Sequence, residues 1–340
     1  MISALLKNDR PLVLFGAGAT GKAVLESCRS LGINVTCFCD NNPAKEGTKH
    51  AGLDVISYKT LKEQYPDCNI IITIGTTDFK DVNNKLNNDA FNRIFPFAVL
   101  LFDFWDGRNY IYENLNSFEK LYDLLEDELS KQVLIARLNY IIDSNSAELE
   151  KLQTPDEYFD ASIFSFTENE YFIDAGSLDG QTALEFAKRV PKYNRIVCFE
   201  PDERNYCKTL KNLASLTRTE VYPVGLWSAE ETLRFESNGG NSSITQSGEH
   251  SIEVKPLDKL LSGQPVTFIK MDIEGAEVEA VSGAADIIRS QKPKLAICVY
   301  HSKEHIIKIP FLLKKLVPEY KIYLRHHSPS LLDTVCYATI

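Results

Sequence analysis

The chain has 340 residues, of which 44% are hydrophobic and 25% are charged, and its formal net charge at pH 7 is −10. These values are typical of a globular protein with enough core for two domains. The negative charge and the lack of a basic stripe argue against a nucleic-acid partner held mainly through phosphates.

The cysteines and the apolar segments bear on the compartment. No CxxC pair occurs among the eight cysteines, which argues against a zinc knuckle or a thioredoxin-type site. Their scattered placement in apolar segments predicts a reduced, cytoplasmic protein. The first residues lack the order of a signal peptide. The longest apolar stretch, residues 94–105, is too short to span a bilayer, so we expect no integral membrane segment.

Residues 1–104 are predicted to form a small Rossmann-like domain. Short apolar strands are expected at 12–15, 35–39, 70–74 and 97–102, with a helix over 19–31 between the first two. The segment GAGATGK follows the first strand, and its Gly16, Gly18 and Gly21 fit GxGxxG, while Asp40 ends the next strand. This pattern is typical of nucleotide or nucleotide-sugar binding. A P-loop is excluded because Ala23 stands where Ser or Thr must hold magnesium. The alternative is a Rossmann-like module with a structural or vestigial pocket.

Residues 105–157 are predicted to form a helical bridge. Phe118, Leu121, Tyr122, Leu125 and Leu129 recur at spacings of three and four, which is the periodicity of an amphipathic helix. The region reads as about two helices that end near residues 145 and 155.

Residues 158–340 show a second α/β pattern. Strands are expected at 171–175, 195–200, 220–224, 266–272, 294–301, 321–326 and 334–339. The first five should be parallel and the last two should form a closing hairpin. The polar stretch 237–251 reads as a flexible or functional loop that contributes to acceptor choice.

The turn after residue 171 predicts the cofactor. Asp174, Gly176 and Gly180 form DxGxxxG at the end of a strand, and Glu200 ends the next strand, where a carboxylate can accept both hydroxyls of a ribose. A cofactor that joins an amino acid to a nucleoside fits this pair better than a pyrophosphate does. That cofactor is S-adenosylmethionine.

The segment FIKMDIEGAE places Asp272 at the carboxyl edge of a predicted parallel strand, where open α/β sheets bind ligands. Lys270 lies on the same strand face and is expected to pair with Asp272 or to touch the substrate. Glu274 and Glu277 are interpreted as structural residues that favour the positive end of a helix dipole.

Two family resemblances follow from these motifs. The segments VLFGAGATGKA, CFCDNNPAKEG and GLDVIS resemble the N-terminal domains of sugar-nucleotide-modifying enzymes and their acetyltransferase relatives. The segments YFD, FIDAGSLDGQT, CFEPD, VGLW, FIKMDIEGAEVEA, KPKLAICVYH and YLRHHS resemble the FkbM-type S-adenosylmethionine-dependent methyltransferases. This second resemblance implies a seven-stranded class I methyltransferase fold and methyl transfer to oxygen, often on sugars. The cofactor-binding residues that it implies are Asp174, Gly176, Ser177, Gly180, Glu200, Asp202, Gly225 and Trp227.

The catalytic assignment combines geometry with general chemistry. An alcohol acceptor must lose its proton to a base or be polarised by a metal. We assign His301 as base and Asp272 as its orienter; a divalent metal held by Asp272 and the histidines is the alternative. His326 ends a later strand at the same edge and is a candidate substrate contact. Tyr158 and Phe159 are candidates to cap the acceptor pocket, with packing of the bridge as the alternative.

Two other functions compete with methyl transfer. One is an NAD-dependent sugar-nucleotide epimerase, dehydratase or dehydrogenase that uses the first domain, although no YxxxK dyad follows its fourth strand. The other is a non-catalytic nucleotide-binding module of a glycan-synthesis complex. The partner predicted for the leading function is a small-molecule or glycan acceptor in polysaccharide biosynthesis, and a homo-oligomer is compatible with the sequence.

Overall fold

The computed structural model describes residues 10–30, 32–74, 76–91, 93–96, 104–143, 147–236, 243–244, 250–328 and 331–340. They divide into two compact units. One contains the described residues within Met1–Leu115, Ile135–Lys151 and Ser328–Leu332, and the other contains those within Asn116–Leu134, Leu152–His327 and Asp333–Ile340.

The N-terminal sheet has six strands. They are β1 (Leu12–Phe15), β2 (Cys37–Cys39), β3 (Lys49–His50), β4 (Leu53–Ile56), β5 (Asn69–Ile72) and β6 (Ile94–Pro96), with helices α1 (Ala19–Ser30), α2 (Tyr58–Gln64) and α3 (Thr76–Asn88). The order is β3-β4-β2-β1-β5-β6, and every neighbouring pair except β3 and β4 is parallel. The predicted parallel sheet is confirmed, while the strand predicted at 97–102 lies outside the described residues.

The helical pattern of the middle region is also confirmed. It contains α4 (Phe104–Glu113), α5 (Leu115–Leu124), α6 (Glu128–Asp143) and α7 (Ala147–Lys151). Phe118, Leu121 and Leu125 are buried, as the spacing predicted. Among the described residues, no helix has the length and apolar character needed to cross a membrane.

The large C-terminal sheet has seven strands. They are β7 (Tyr171–Ala175), β8 (Arg195–Phe199), β9 (Thr219–Tyr222), β14 (Phe268–Met271), β15 (Lys294–Cys298), β16 (Lys321–His326) and β17 (Thr334–Thr339). The order is β16-β17-β15-β14-β7-β8-β9, with five parallel strands and a closing antiparallel hairpin. The helices of this half are α8 (Gln181–Arg189), α9 (Glu203–Asn212), α10 (Leu257–Leu260), α11 (Glu277–Ser282), α12 (Ala285–Gln291) and α13 (His305–Leu316). The predicted seven-stranded architecture is confirmed.

An aromatic core explains why these strands read as apolar runs. Phe172 of β7 stacks on Phe268 of β14 with ring centroids 4.8 Å apart, and Phe186 of α8 lies 4.4 Å from Phe172. Phe159 and Phe166, which precede β7, pack against the same rings. A parallel sheet is covered on both faces, so strands at its centre must be hydrophobic on both sides.

The sequence did not predict a second, smaller sheet in this half. It contains β10 (Gly225–Leu226), β11 (Glu231–Glu236), β12 (Ser243–Ile244) and β13 (His250–Lys255), in the order β10-β13-β11-β12. Much of the predicted loop 237–251 lies outside the described residues, but its described parts belong to β12 and β13. β15 also ends at Cys298, so His301 lies in the loop after the strand and not at its last residue.

A buried arginine fixes the segment that precedes β7. Arg325 of β16 forms ion pairs with Asp160 at 3.0 Å and with Asp127 at 2.6 Å, and it donates to the hydroxyl of Ser130 at 2.9 Å. Because Asp160 lies two residues after Tyr158, these contacts hold the polypeptide that carries Tyr158 against the sheet.

Candidate active site

The floor of the site is an ion pair between neighbouring strands. Asp174 of β7 lies opposite Lys270 of β14 in the parallel register, and Lys270 Nζ lies 3.0 Å from Asp174 Oδ1. Both side chains are almost completely buried. Burial disfavours the charge on Lys270, but Asp174 and Asp272 more than offset this effect, so its pKa is raised. Lys270 also donates to the carbonyl oxygen of Gly176 at 2.7 Å and thereby supports the turn after β7.

That turn lies directly against the end of β14. Gly176 has φ +75°, and a Cβ at this position would lie 1.8 Å from the carbonyl oxygen of Asp272. Only glycine combines this backbone conformation with such a close approach. The turn therefore brings the DxGxxxG backbone and Asp272 to one edge of the sheet.

Replacing Gly176 with alanine is expected to lower the free energy of unfolding by about 2–5 kcal/mol, because positive-φ strain is added to a backbone clash. Gly263→Ala is the matched control, since Gly263 has φ +71° but no described residue lies within 4 Å of its Cβ position. It should lose only about 1 kcal/mol. Urea unfolding of both variants measures the difference, and equal losses would contradict the proposed close packing.

Glu200, which directly follows β8, holds the same turn from the other side. Its Oε2 accepts the N–H of Leu178 at 2.8 Å, and its Oε1 accepts the N–H of Asp202 at 3.0 Å. Burial raises the pKa of Glu200 to about 7, against the opposing effect of these two amides. Each carboxylate oxygen has a second lone pair, so the group can still accept hydroxyl donors.

The other predicted cofactor residues lie in the turns after β7 and β8 and in the small sheet or just after it. Asp202 caps α9 by accepting the N–H of Asn205 at 3.0 Å. Gly180, with φ +84°, directly precedes α8, and its N–H donates to the carbonyl oxygen of the buried Ser177 at 2.7 Å. A Cβ on Gly225 would lie 3.7 Å from Pro201, the residue after Glu200. Trp227 packs on Ile252 and Val254 of the small sheet.

The opposite side of the edge is formed around Asp272. Its Oδ2 accepts the hydroxyl of Tyr158 at 2.9 Å, and its Oδ1 accepts the hydroxyl of Tyr300 at 3.1 Å. His301 Nε2 lies 3.4 Å from Asp272 Oδ1 and 3.5 Å from Glu274 Oε2. The structure thus places His301, the predicted base, beside Asp272, and it adds a contact between Asp272 and Tyr158. The sequence reasoning missed Tyr300, although it directly precedes His301.

Glu277 and His305 complete this group. Glu277 is fully buried, with Oε1 2.8 Å from His301 Nδ1 and Oε2 3.2 Å from His305 Nδ1. Burial opposes the charge on His301, but Glu277 more than offsets it and raises the pKa of His301 to about 9. Burial raises the pKa of Glu274 to about 7, against the opposing charge of His301. The helix-start interpretation of Glu277 was therefore incomplete, because the carboxylate also lies between two imidazoles.

A series of three hydrogen bonds holds the backbone of Tyr158, which has φ +67°. The Tyr158 N–H donates to the hydroxyl oxygen of Tyr337 at 3.1 Å, and that hydroxyl lies 2.9 Å from His327 Nε2. His327 Nδ1 lies 2.9 Å from the carbonyl oxygen of Thr154. Burial lowers the pKa of His327, which favours its neutral form. The neutral ring with its proton on Nδ1 satisfies both contacts.

Two predicted substrate contacts lie elsewhere. The ring of Phe159 lies among the core phenylalanines. His326 is fully buried, with Nδ1 2.8 Å from the hydroxyl of Thr334, which lies opposite it in the β16–β17 pairing.

One subset of these side chains has the spacing of a cation site. Asp272, Glu277 and His301 each place one oxygen or nitrogen atom within 4.8 Å of the other two. This spacing fits a divalent cation. It equally fits the His301–Glu277 ion pair that the 2.8 Å contact describes.

The N-terminal glycine turn has its own ion pair. Asp40 accepts the N–H of Ala17 at 2.9 Å and pairs with Lys45 at 2.8 Å. Burial opposes the ionised form of Asp40, but Lys45 and two backbone amides lower its pKa.

The three glycines of this turn differ in their surroundings. Gly16 has φ +122°, and a Cβ on Gly21 would lie 2.2 Å from the carbonyl oxygen of Gly16, so these two glycines permit close packing of the turn. In the part of the chain that the structure describes, nothing lies within 4 Å of the Cβ position of Gly18.

The chain is similar to known proteins in both halves. Residues 174–320 match the family described as methyltransferase FkbM domain, and residues 11–86 match the PglD N-terminal domain. The 2-O-methyltransferase NoeI of Sinorhizobium fredii (strain NBRC 101917 / NGR234) is 26% identical over 141 residues. This match covers 34% of the present chain and 58% of NoeI, little more than half of that protein.

A solved structure extends the similarity to the whole fold. The structure of a methyltransferase FkbM from Methylobacillus flagellatus KT has a TM-score of 0.80 and 24% sequence identity, and the match covers 99% of this chain and 92% of that one. Together with the two domain matches, this similarity agrees with the sheet order and motifs described above. Residues 174–320 are therefore similar to methyltransferase FkbM domains, and residues 11–86, which precede them, are similar to PglD N-terminal domains.

Proposed function

We propose that the protein is an S-adenosylmethionine-dependent O-methyltransferase. The observation that carries this proposal is the arrangement at one sheet edge, where β8, β7 and β14 lie side by side. Glu200 and the Gly176 turn lie on one side of the edge, and Asp272 with His301 lies on the other. The FkbM domain match supports the same reaction class.

The residues at this edge fit the cofactor that the family implies. The Gly176 turn lies directly against the backbone of Asp272, and Glu200 keeps lone pairs for ribose hydroxyls. Asp174 is completely buried, and its Oδ1 lies 3.0 Å from Lys270 Nζ. We therefore propose that Asp174 acts through Lys270 on the turn. Ser177, Gly180 and Asp202 would shape the same pocket, and Gly225 and Trp227 would border the adenine.

Bound S-adenosylmethionine would supply an electrophilic methyl group on a sulfonium sulfur. The acceptor hydroxyl oxygen would form the new bond to carbon while the sulfur–carbon bond breaks, so the positions of the two reactants determine much of the rate. The hydroxyl proton would pass to the neutral form of His301. Asp272 would keep the ring in place, and the hydroxyls of Tyr158 and Tyr300 would keep Asp272 in place. Polarisation by a divalent cation is the alternative, and dialysis against EDTA followed by assay separates the two.

Calorimetry with S-adenosylhomocysteine tests the cofactor assignment. Glu200→Gln is expected to weaken binding about 10- to 100-fold, which corresponds to one or two lost charge-assisted hydrogen bonds. Glu168→Gln, at an exposed residue paired with Lys192, should bind like the unchanged protein. Only the ionised carboxylate of Glu200 accepts hydrogen bonds at both oxygens without donating one. Because its pKa is about 7, the affinity for S-adenosylhomocysteine should rise between pH 6 and pH 8. If the folded protein does not bind S-adenosylhomocysteine, the proposed function is wrong.

For the acceptor we propose a hydroxyl of a sugar, a nucleotide-linked sugar or a related metabolite, in glycan or polysaccharide biosynthesis. The relative NoeI is described as a 2-O-methyltransferase, which supports a hydroxyl acceptor. Transfer of tritium from methyl-labelled S-adenosylmethionine to a panel of UDP-sugars and monosaccharides would identify the class. We place the protein in the cytoplasm, which agrees with its eight unpaired cysteines.

For the first domain, residues 1–104, we propose nucleotide or nucleotide-sugar binding through Gly16, Gly18, Gly21 and Asp40. Residues 105–157 would then be a bridge to the methyltransferase domain, residues 158–340. Because Lys45 already pairs with Asp40, a ligand at this turn would have to displace or share that lysine. Calorimetry with UDP-sugars and with NAD tests this role. Tight binding of NAD without any binding of S-adenosylhomocysteine would favour the dehydrogenase alternative.

A further inference from the structure

Glu277 is an unusual residue for a helix start because its side chain is completely buried. A carboxylate that only favours a helix dipole can remain in water, where its solvation is retained. Burying it is unfavourable unless the charge is paired. In this structure the partners are the imidazoles of His301 and His305, together with the N–H of Ile273, which donates to Oε1 at 3.0 Å.

The contact with His301 determines how that ring is presented. Nδ1 lies 2.8 Å from Glu277, whereas Nε2 lies 3.4 Å from Asp272 and 3.5 Å from Glu274. The Tyr300 ring packs on the imidazole with centroids 4.0 Å apart. One nitrogen therefore faces the interior, and the other faces the carboxylate at the sheet edge where we place the acceptor.

We propose that Glu277 is a positioning residue for methyl transfer, which holds His301 by Nδ1 so that Nε2 faces the acceptor beside Asp272. This inference rests on the proposed function of the site. Glu277 acts only through His301, and His305 keeps the second carboxylate oxygen in place. The groups that face His301 are Glu277 from α11, Asp272 and Glu274 from the loop after β14, and Tyr300 from the loop after β15. His305, at the start of α13, faces Glu277.

The first test is spectroscopic and needs no acceptor. Long-range proton–nitrogen NMR of the full chain in EDTA, with His301→Ala used to assign its resonances, reports the protonation of each ring nitrogen. The proton on Nδ1 should persist up to high pH, and the ring should lose a proton near pH 9. In Glu277→Gln the midpoint should fall by about two pH units towards the ordinary imidazole value. Glu279→Gln, on the same helix, should leave it unchanged.

The second test is kinetic and uses the best acceptor of the labelled-methyl panel. Glu277→Gln should lower kcat about 10- to 100-fold at pH 10, where His301 is mostly neutral in both proteins, without changing KM for S-adenosylmethionine or the affinity for S-adenosylhomocysteine. Added to His301→Ala, the same change should have almost no further effect, because both variants remove one function. If Glu277 had only a structural role, the losses in activation free energy of the two single variants would add in the double variant.

Three results would overturn the inference. They are a ring that carries its proton only on Nε2 in the unchanged protein, an NMR midpoint that Glu277→Gln does not move, and losses that add fully in the double variant. The first needs no Glu277 variant, so poor folding of Glu277→Gln does not prevent a decision. If the unchanged protein does not bind S-adenosylhomocysteine, the proposed function fails instead, and that result is distinct from these three.

Discussion

Replacing Asp174 with alanine is expected to lower the free energy of unfolding by about 3–5 kcal/mol, because Lys270 is left buried without its carboxylate partner. Lys270 Nζ lies 3.0 Å from Asp174 Oδ1, and 3% of the Lys270 side chain is exposed. The ammonium group of Lys270 also supports the Gly176 turn, because it donates to the carbonyl oxygen of Gly176. Binding of S-adenosylhomocysteine should therefore weaken together with stability.

The control for this prediction removes both charges. Asp174→Ala combined with Lys270→Met should be more stable than Asp174→Ala alone, since replacing a buried pair costs less than breaking it. Glu148→Ala, which breaks an exposed pair with Lys151, should cost less than about 1 kcal/mol. Urea unfolding measures all three variants. A double variant that is less stable than Asp174→Ala would show that Lys270 finds another partner when Asp174 is absent.

Replacing His301 with alanine is expected to slow methyl transfer about 10²- to 10⁴-fold, the usual contribution of a general base. The affinity for S-adenosylhomocysteine should remain the same, because the contacts of His301 lie on the Asp272 side of the edge. Single-turnover transfer to the best acceptor of the panel measures the rate, and calorimetry measures the affinity. A variant that keeps its full rate would refute the assignment of His301 as base.

The pH profile provides an independent measurement. The base is the neutral imidazole, and Glu277 holds the pKa of His301 at about 9, so the reactive fraction should rise with pH. The unchanged protein should gain about tenfold in rate per pH unit below pH 9 and then reach a plateau. In His301→Ala this dependence should disappear. A rate that falls between pH 7 and pH 9 would contradict the mechanism.

Local patterns were sufficient to predict much of the fold. Strands buried on both faces produce unbroken apolar runs, and glycine turns at two strand ends mark the helices that follow. The seven-stranded architecture and the first parallel sheet were read from these signals. The small sheet was not predicted, because β10 and β12 each have two residues and so present no alternation to detect.

The side-chain contacts of the candidate site were predicted less completely than the fold. Asp272, His301 and His326 were predicted to meet because strand ends at one edge are neighbours, but only Asp272 and His301 do so among the described contacts, since the His326 ring is buried against Thr334. The register between β7 and β14 is not encoded in any spacing, so Asp174 was not recognised as the partner of Lys270. Glu277 was missed for a related reason: its partners, His301 and His305, follow a different strand, and a helix start already explained an acid at that position.

The hydrogen bonds behind Tyr158 have a consequence for how the site meets its substrate. When His327 is neutral, each hydrogen bond from Tyr158 through Tyr337 and His327 to Thr154 has one donor and one acceptor. Every group in this series therefore donates towards Thr154. Reversing any member would leave two donors or two acceptors facing each other. The backbone of Tyr158, whose hydroxyl donates to Asp272, is thus held by the protein interior before any acceptor arrives. The Tyr158 segment then needs little reorganisation when the acceptor binds, so the binding energy of the acceptor is available to align the acceptor itself.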